Sequence, residues 1–326
     1  MRTHYESVTA GELLTKKLPD RPLIIDPWLR GGETALVWAG SGVGKTMLSL
    51  SLGIAVAGGG CIGEWTCSSP KRVLYVDGEM HLQDMRDRVE LLLGTLQAET
   101  GGVDPDAVRR NLTFICRQAQ TSGGKFYDIT DKESQQALLL TCRELGTDLL
   151  VLDNFTTLTD DLQDENASTS FKSVQGFFLG LKQAGVTTLM LHHARKDGQA
   201  MRGSTSLEAT FEVIIGLIKP EAAAAGQANF RLHFQKFRGK GGDAIQPTVW
   251  QLGDFGWTFD EDEGDTDSRV LACLKSGKFR SQNELKDHLK VAKSTISKAI
   301  KRLKEKGLMT DKALSAYFSA ANDNVV

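Results

Sequence analysis

The stretch from Thr34 to Ala57, TALVWAGSGVGKTMLSLSLGIAVA, decides how this chain is read. Leu36, Val37 and Trp38 form an apolar strand, and Ala39 to Thr46, AGSGVGKT, forms a turn. Met47, Leu48, Leu50, Leu52 and Ile54 continue as an apolar helix that stops at Gly58-Gly59-Gly60. Small residues at Gly40, Ser41, Gly42 and Gly44, with Val43 between them, let backbone N–H groups point into one concavity. The helix N-terminus at Lys45, Thr46 and Met47 adds positive potential there. That chemistry fits a triphosphate: Lys45 can reach its outer phosphates and the Thr46 hydroxyl can ligate Mg²⁺. The first position of the GxxxxGK[ST] pattern is Ala39 rather than glycine, which keeps it small.

Outward from that stretch, strands and helices alternate. Strands are predicted at Arg72 to Asp77, Leu112 to Cys116, Leu149 to Asp153 and Val186 to His192. Helices are predicted at Leu82 to Leu96, Asp131 to Leu145 and Ser168 to Ala184. Such alternation gives an α/β fold with a mainly parallel sheet and right-handed crossovers. Ligands of such sheets bind at the carboxyl ends of the strands, here Ala39, Asp77 to Glu79, Asp153 and His192. After residue 210 the pattern changes to strands joined by turns, at Glu212 to Ile218, Phe230 to Arg238 and Thr248 to Phe259. This is an antiparallel extension of the sheet.

At the predicted strand ends Asp153 closes LLVLD, where its carboxylate can hold Mg²⁺ through water. Glu79 follows the strand read as lying beside the phosphate loop and is the candidate general base; Asn154, next to Asp153, cannot take a proton. His192 sits where a γ-phosphate sensor would sit. A metal pair with His193 is not expected, because strand neighbours point to opposite faces.

The order AGSGVGKT, YVDGE, LLVLDN, LMLHH and QKFRGKG resembles the RecA-like ATPases, and among them the hexameric replicative helicases of the plasmid RepA and DnaB kind, over residues 20 to 258. The resemblance implies ATP and Mg²⁺ as ligands, Glu79 as the catalytic glutamate that serves as base, and a basic finger supplied by a neighbouring subunit. Lys236-Phe237-Arg238-Gly239 matches the finger pattern, with Arg202 as a rival. Such a finger is typically worth ~10³–10⁵ in rate. It also implies a homo-oligomer, a hexamer in that family, and single-stranded DNA in the ring channel. There Arg195, Lys196 and Arg202 would contact phosphates. The other loop leaving the active edge, Phe155 to Asn166, is acidic and departs from a DNA-gripping surface.

Charge is unevenly placed. Ser268 to Lys312 carries 13 Lys and Arg against 4 Asp and Glu, on a chain whose net charge is −2. Three helices are predicted there, at Arg269 to Lys275, Gln282 to Leu289 and Ser294 to Glu305. The last buries Ile296, Ala299, Ile300 and Leu303 and shows Thr295, Lys298, Lys301, Arg302 and Lys304 outward. This resembles a winged-helix or helix-turn-helix domain. Ser294, Thr295, Ser297 and Lys298 would lie nearest duplex DNA, with Lys301 farther along the same face. A protein-docking winged helix is the alternative.

The expected organisation is an N-terminal helix or arm over 1–20, the ATPase domain over 21–259, an acidic linker over 260–267, the winged-helix-like domain over 268–312 and a frayed tail over 313–326. Thr9 and Glu12 form a capping box in the arm, which either packs on its own domain or docks on a neighbour. No run approaches the ~18 apolar residues of a membrane span. No secretory apolar core is present, and the five cysteines show no metal spacing, which reads as a cytoplasmic protein with reduced thiols. Three functions stay open: an ATP-driven helicase, an ATP-switched DNA-binding regulator, and a recombinase-like filament.

Overall fold

Strand segments such as VLYVD and LLVLD are apolar on both alternating positions, and a strand of that kind needs cover on both faces. The computed structural model describes all residues except 1–5, 19, 99–101, 122, 160–167, 196–199, 202–204, 221–227, 240–244, 262–265, 290, 306 and 324–326. It contains two compact units, one of residues 1–246 with 250–259 and one of residues 247–249 with 260–326.

The first unit begins with α1 (Ala10–Thr15), whose capping box closes: the Thr9 amide donates to Glu12 Oε2 at 2.7 Å and the Glu12 amide to Thr9 Oγ1 at 3.2 Å. None of its residues is buried and Leu14 is 87% exposed, so packing on its own domain does not account for this helix. Two short strands, β1 (Leu23–Ile25) and β2 (Leu29–Arg30), lead into β3 (Thr34–Ala39) and α2 (Lys45–Gly58). A small hairpin of β4 (Cys61–Ile62) and β5 (Trp65–Thr66) follows. Then come β6 (Val73–Asp77), α3 (Leu82–Ala98), α4 (Pro105–Asn111), β7 (Leu112–Cys116), α5 (Lys132–Leu145) and β8 (Leu149–Asp153). The remainder is α6 (Ser168–Gln183), β9 (Thr187–His193), α7 (Thr205–Thr210), β10 (Val213–Ile218), β11 (Asn229–Phe237), β12 (Thr248–Gly253) and β13 (Gly256–Glu261). The sequence reading missed α4, although Asp104 caps it and Pro105 opens it. The stretch read as one strand from Thr248 to Phe259 is two strands that turn at Asp254 and Phe255.

The nine-stranded sheet has the order β13-β12-β11-β10-β3-β9-β8-β6-β7. Strands from β7 through β10 are parallel, and β11 is antiparallel to β10, as the change of pattern after residue 210 implies. The strand that carries Glu79 is not the neighbour of β3: β9 and β8 lie between β3 and β6. Side chains alternate between two cores. Val37, Tyr75, Val151, Leu189 and Leu191 share the core of α2, whereas Leu36, Leu74, Leu152 and Met190 share the core of Phe155, Val174 and Phe178 on the other face.

The second unit is helical: α8 (Thr266–Lys275), α9 (Gln282–Leu289), α10 (Lys293–Glu305) and α11 (Asp311–Asp323). α10 buries Ile296, Ala299, Ile300 and Leu303, as its spacing predicts. Four expectations are corrected. No wing hairpin follows α10 among the described residues. The tail read as frayed forms α11, with Leu314, Tyr317 and Phe318 packed on the core built by Val270, Leu285 and Ile300. The acidic linker is shorter than read, because β13 runs to Glu261 and α8 starts at Thr266. Arg302 does not face outward as a free charge: its Nε and Nη2 hold buried Asp267 at 2.9 and 2.8 Å. Among the described residues, no helix is long and apolar enough to cross a membrane.

If α11 closes this core, deleting residues 311–326 is expected to destabilise the second unit by about 2–4 kcal/mol, the scale of uncovering large apolar side chains. Urea denaturation of the truncated chain measures this, and an unchanged midpoint would restore the frayed tail.

Candidate functional site

The phosphate loop leaves β3 at Ala39, which is fully buried within the sheet. Gly44 is the residue that its turn most requires: φ is +126°, and a Cβ there would come within 2.9 Å of the Ala228 side chain and 3.0 Å of the Phe230 ring. Val43 turns into the core, so the cleft is lined by Ser41, Gly42, Gly44, Lys45, Thr46 and Met47 from this loop and helix, while Gly40 is outside the lining and its carbonyl accepts from Lys45 Nζ. The cleft has a volume of about 690 Å³ and lies at the carboxyl ends of the parallel strands.

Lys45 is buried, with Nζ held by the carbonyls of Ala39 and Gly40 at 3.1 Å each. Burial is the largest influence on it and lowers its pKa, against the opposing charges of Asp153 and Glu79. Asp153 ends β8 at 4% exposure. Its Oδ2 accepts from Thr46 Oγ1 at 3.0 Å and from the Tyr75 hydroxyl at 2.8 Å. Burial raises the carboxyl above the usual range, while these two donors and the Lys45 charge pull it back. Thus the hydroxyl and the carboxylate predicted to hold Mg²⁺ meet directly. Among the described residues, no group of three or more His, Cys, Asp or Glu could hold a metal. A Mg²⁺ that keeps waters and shares a nucleotide's phosphates needs no such cage.

Glu79 reaches the cleft despite the distance of its strand from β3. It is exposed, and Oε2 accepts from Asn154 Nδ2 at 2.8 Å. Asn154 is itself 2% exposed and is fixed by Thr157, whose amide donates to its Oδ1 at 3.2 Å. Asp77, which the sequence reading left unassigned, lies beneath Glu79 and accepts from the Met80 and Glu79 amides at 2.8 and 3.2 Å. Burial dominates there and pushes its carboxyl up to about 6.

His192 is not at the cleft. It is 1% exposed and stacks edge-on against Phe155, with ring centroids 4.9 Å apart, on the face of the sheet away from α2. The alternation of β9 brings His193 to the cleft instead, with Nδ1 3.4 Å from Lys45 Nζ. Leu189 and Leu191 share the face of α2 and the odd positions continue to 193, a parity that the uniformly apolar run Leu189-Met190-Leu191 does not reveal in the sequence.

The finger residues lie elsewhere. β11 runs antiparallel to β10, so Phe237 pairs with Val213, and Val213 pairs with Ala35 at the start of β3. Lys236 and Arg238 therefore sit at the sheet edge opposite the protein's own phosphate loop. Lys236 Nζ donates to the Glu208 carbonyl, and Arg238, with a 59% exposed side chain, lies 3.9 Å from Glu212. Burial alone would raise the Glu212 carboxyl, but hydrogen bonds from Lys182 and Thr34 bring it below the usual value. Of the loop cations, Arg195 is exposed beside the bridge between Ala194 and Met201, while Lys196 and Arg202 lie outside the described residues. Ser294, Lys298 and Lys301 are exposed on α10, with Thr295 half-buried.

The two histidines separate in a mutational test. His193→Ala is expected to weaken nucleotide affinity or turnover with little change in stability, and His192→Ala to cost about 2–3 kcal/mol as a core truncation. Denaturation midpoints together with nucleotide titrations check this, and the reverse pattern would return His192 to the site.

A family description, AAA domain, matches residues 2–199. The solved structure of a KaiC-like protein from the hyperthermophilic archaeon Pyrococcus horikoshii OT3 superposes with a TM-score of 0.52 at 16% identity, covering 72% of this chain and 93% of that one. At that identity the likeness is one of fold, and the fold is RecA-like. No curated protein matches the sequence. Because the family match spans more than half of its length, the chain belongs to the AAA domain family, built on a RecA-like P-loop core.

Proposed function

We propose that this protein is an ATP-hydrolysing, DNA-binding oligomeric motor of the replicative helicase type, serving a plasmid, phage or mobile element. One observation carries the ATPase half: Thr46 and Asp153 meet at 3.0 Å under a glycine-shaped phosphate loop, with Glu79 pinned at 2.8 Å by Asn154. The donor set fits MgATP, since Thr46 and Asp153 supply the hard oxygens that Mg²⁺ prefers and the loop supplies amides for phosphate. Held by Thr46 and Asp153, Mg²⁺ would offset the negative charge that develops on the transferred phosphoryl group. Lys45 exchanges its two loop carbonyls for phosphate oxygens. Asn154 occupies Oε2 of Glu79 and thereby leaves Oε1 to accept a proton from the attacking water. His193 reports on the outer phosphate from beside Lys45.

The opposite-edge location of Lys236 and Arg238 supports a finger that acts on another copy, since neither lies at the protein's own cleft. That reading requires a homo-oligomer, for which the family resemblance gives a hexamer. DNA contact is supported by the basic C-terminal stretch and by the exposed Lys298 and Lys301 of α10, which follows α9 as the recognition helix follows its partner in helix-turn-helix domains. Arg195, Lys196 and Arg202 are proposed to grip single-stranded phosphates in the channel. A DNA-binding regulator switched by ATP, without unwinding, is the second reading. It is favoured by Arg302 and Lys304, whose charges are taken by Asp267 and Asp311 and so are withdrawn from a strong DNA grip.

A fork-unwinding assay run beside an ATPase assay separates the two. DNA-stimulated turnover with strand separation, both abolished in Lys45→Ala, is expected. Arg238→Ala is expected to keep ATP binding while losing ~10³-fold or more in turnover. ATPase activity without unwinding would favour the regulator, and unchanged turnover in Arg238→Ala would reassign the finger.

A further inference from the structure

Tyr75 is the one polar side chain in the run VLYV of β6, and it is fully buried. Its alternation places it on the α2 face, within reach of Ser49 of that helix. A buried tyrosine hydroxyl needs partners, and two are present at 2.8 Å: Asp153 Oδ2 and Ser49 Oγ. The direction of each bond follows from counting protons. An ionised carboxylate only accepts, so the phenol spends its single hydrogen on Asp153. The phenol oxygen can then only accept from Ser49, whose single hydrogen faces both that oxygen at 2.8 Å and the Thr46 carbonyl at 3.1 Å. The relay runs from Ser49 to Tyr75 to Asp153, and Thr46 Oγ1 donates to the same carboxylate oxygen at 3.0 Å.

We propose that Tyr75 is a positioning residue for the metal site: its hydroxyl fixes the Asp153 carboxylate in the orientation that metal binding requires. The inference rests on the reading of Thr46 and Asp153 as the Mg²⁺-holding pair. Asp153 is buried at the end of β8, yet Thr46 is the other donor to Oδ2 and is itself claimed when a cation binds. Without the phenol the carboxylate would be held on one side only and would be free to turn about its side-chain bonds. Ser49 extends the support into α2, so the helix that presents Thr46 also braces the group that steadies Asp153. Outer partners of this kind are typically worth 10–100-fold in metal affinity.

The test uses Tyr75→Phe, which removes one oxygen and keeps the ring in place. Mn²⁺ binding to the ADP-loaded full-length protein, read by electron paramagnetic resonance, is expected to weaken ~10-fold. ADP affinity measured by calorimetry in EDTA is expected to be unchanged. Ser49→Ala, which frees the phenol from its second partner, is expected to give a smaller loss of the same sign. Mn²⁺ affinity unchanged in Tyr75→Phe, or a loss matched by an equal loss of ADP affinity in EDTA, would overturn the positioning role. If the wild-type protein takes up ADP in EDTA but gains nothing from Mn²⁺, the metal-site reading fails and this inference with it.

Discussion

A carboxylate at 4% exposure, closing an apolar strand, is the constraint around which the ATPase core is arranged. Burying such a charge costs several kcal/mol unless donors and a counter-charge surround it. Around Asp153 the chain supplies hydroxyls from two elements, Thr46 of α2 and Tyr75 of β6, and the Lys45 ammonium adds its charge. Each of those residues is held in turn: Lys45 by the loop carbonyls, Tyr75 by Ser49, and Thr46 by the helix that the glycine turn launches. The parallel sheet brings these groups together because β3, β8 and β6 all end at the same edge. Removing any one donor would leave a buried charge short of a partner. Fold and site are therefore the same set of interactions viewed at two scales.

The two ends of the sheet divide the chemistry. At the carboxyl edge lie the phosphate loop, Asp153, Glu79 and His193. At the other edge β11 ends at Phe237, with Lys236 inside its end and Arg238 just beyond, a consequence of its reversed direction next to β10. An antiparallel strand appended to a parallel core exports its last residues to the far side of the subunit. The basic pair therefore lies away from the protein's own phosphate loop. Glu212 meanwhile gives Arg238 a counter-ion 3.9 Å away.

Much of this was legible in the sequence because it is local. The strand, loop and helix around AGSGVGKT, and the aspartate after LLVL, are fixed by patterns a few residues long. The boundaries of β7 and β8 came out as read, at Leu112–Cys116 and Leu149–Asp153. What failed was information about faces and neighbours. His192 and His193 are equally polar and adjacent, and only the parity of β9 relative to α2 tells them apart. β6 was read as lying beside the phosphate strand because it follows in sequence, whereas the crossovers insert β8 and β9 between them. Tyr75, Asp77 and Asn154 lie within the quoted YVDGE and LLVLDN stretches, but the roles they take come from contacts made after folding. The helix α11 escaped notice because its apolar residues Leu314, Tyr317 and Phe318 are few and widely set among small ones. They acquire a reason to be helical only against the core of the second unit.

The central claim is that this cleft holds a nucleotide with its metal. Calorimetric titration of the intact wild-type protein with a non-hydrolysable ATP analogue, with and without Mg²⁺, measures it most directly. Uptake near one nucleotide per chain, markedly tighter when Mg²⁺ is present, is expected. An absence of heat and of binding under both conditions would contradict the claim.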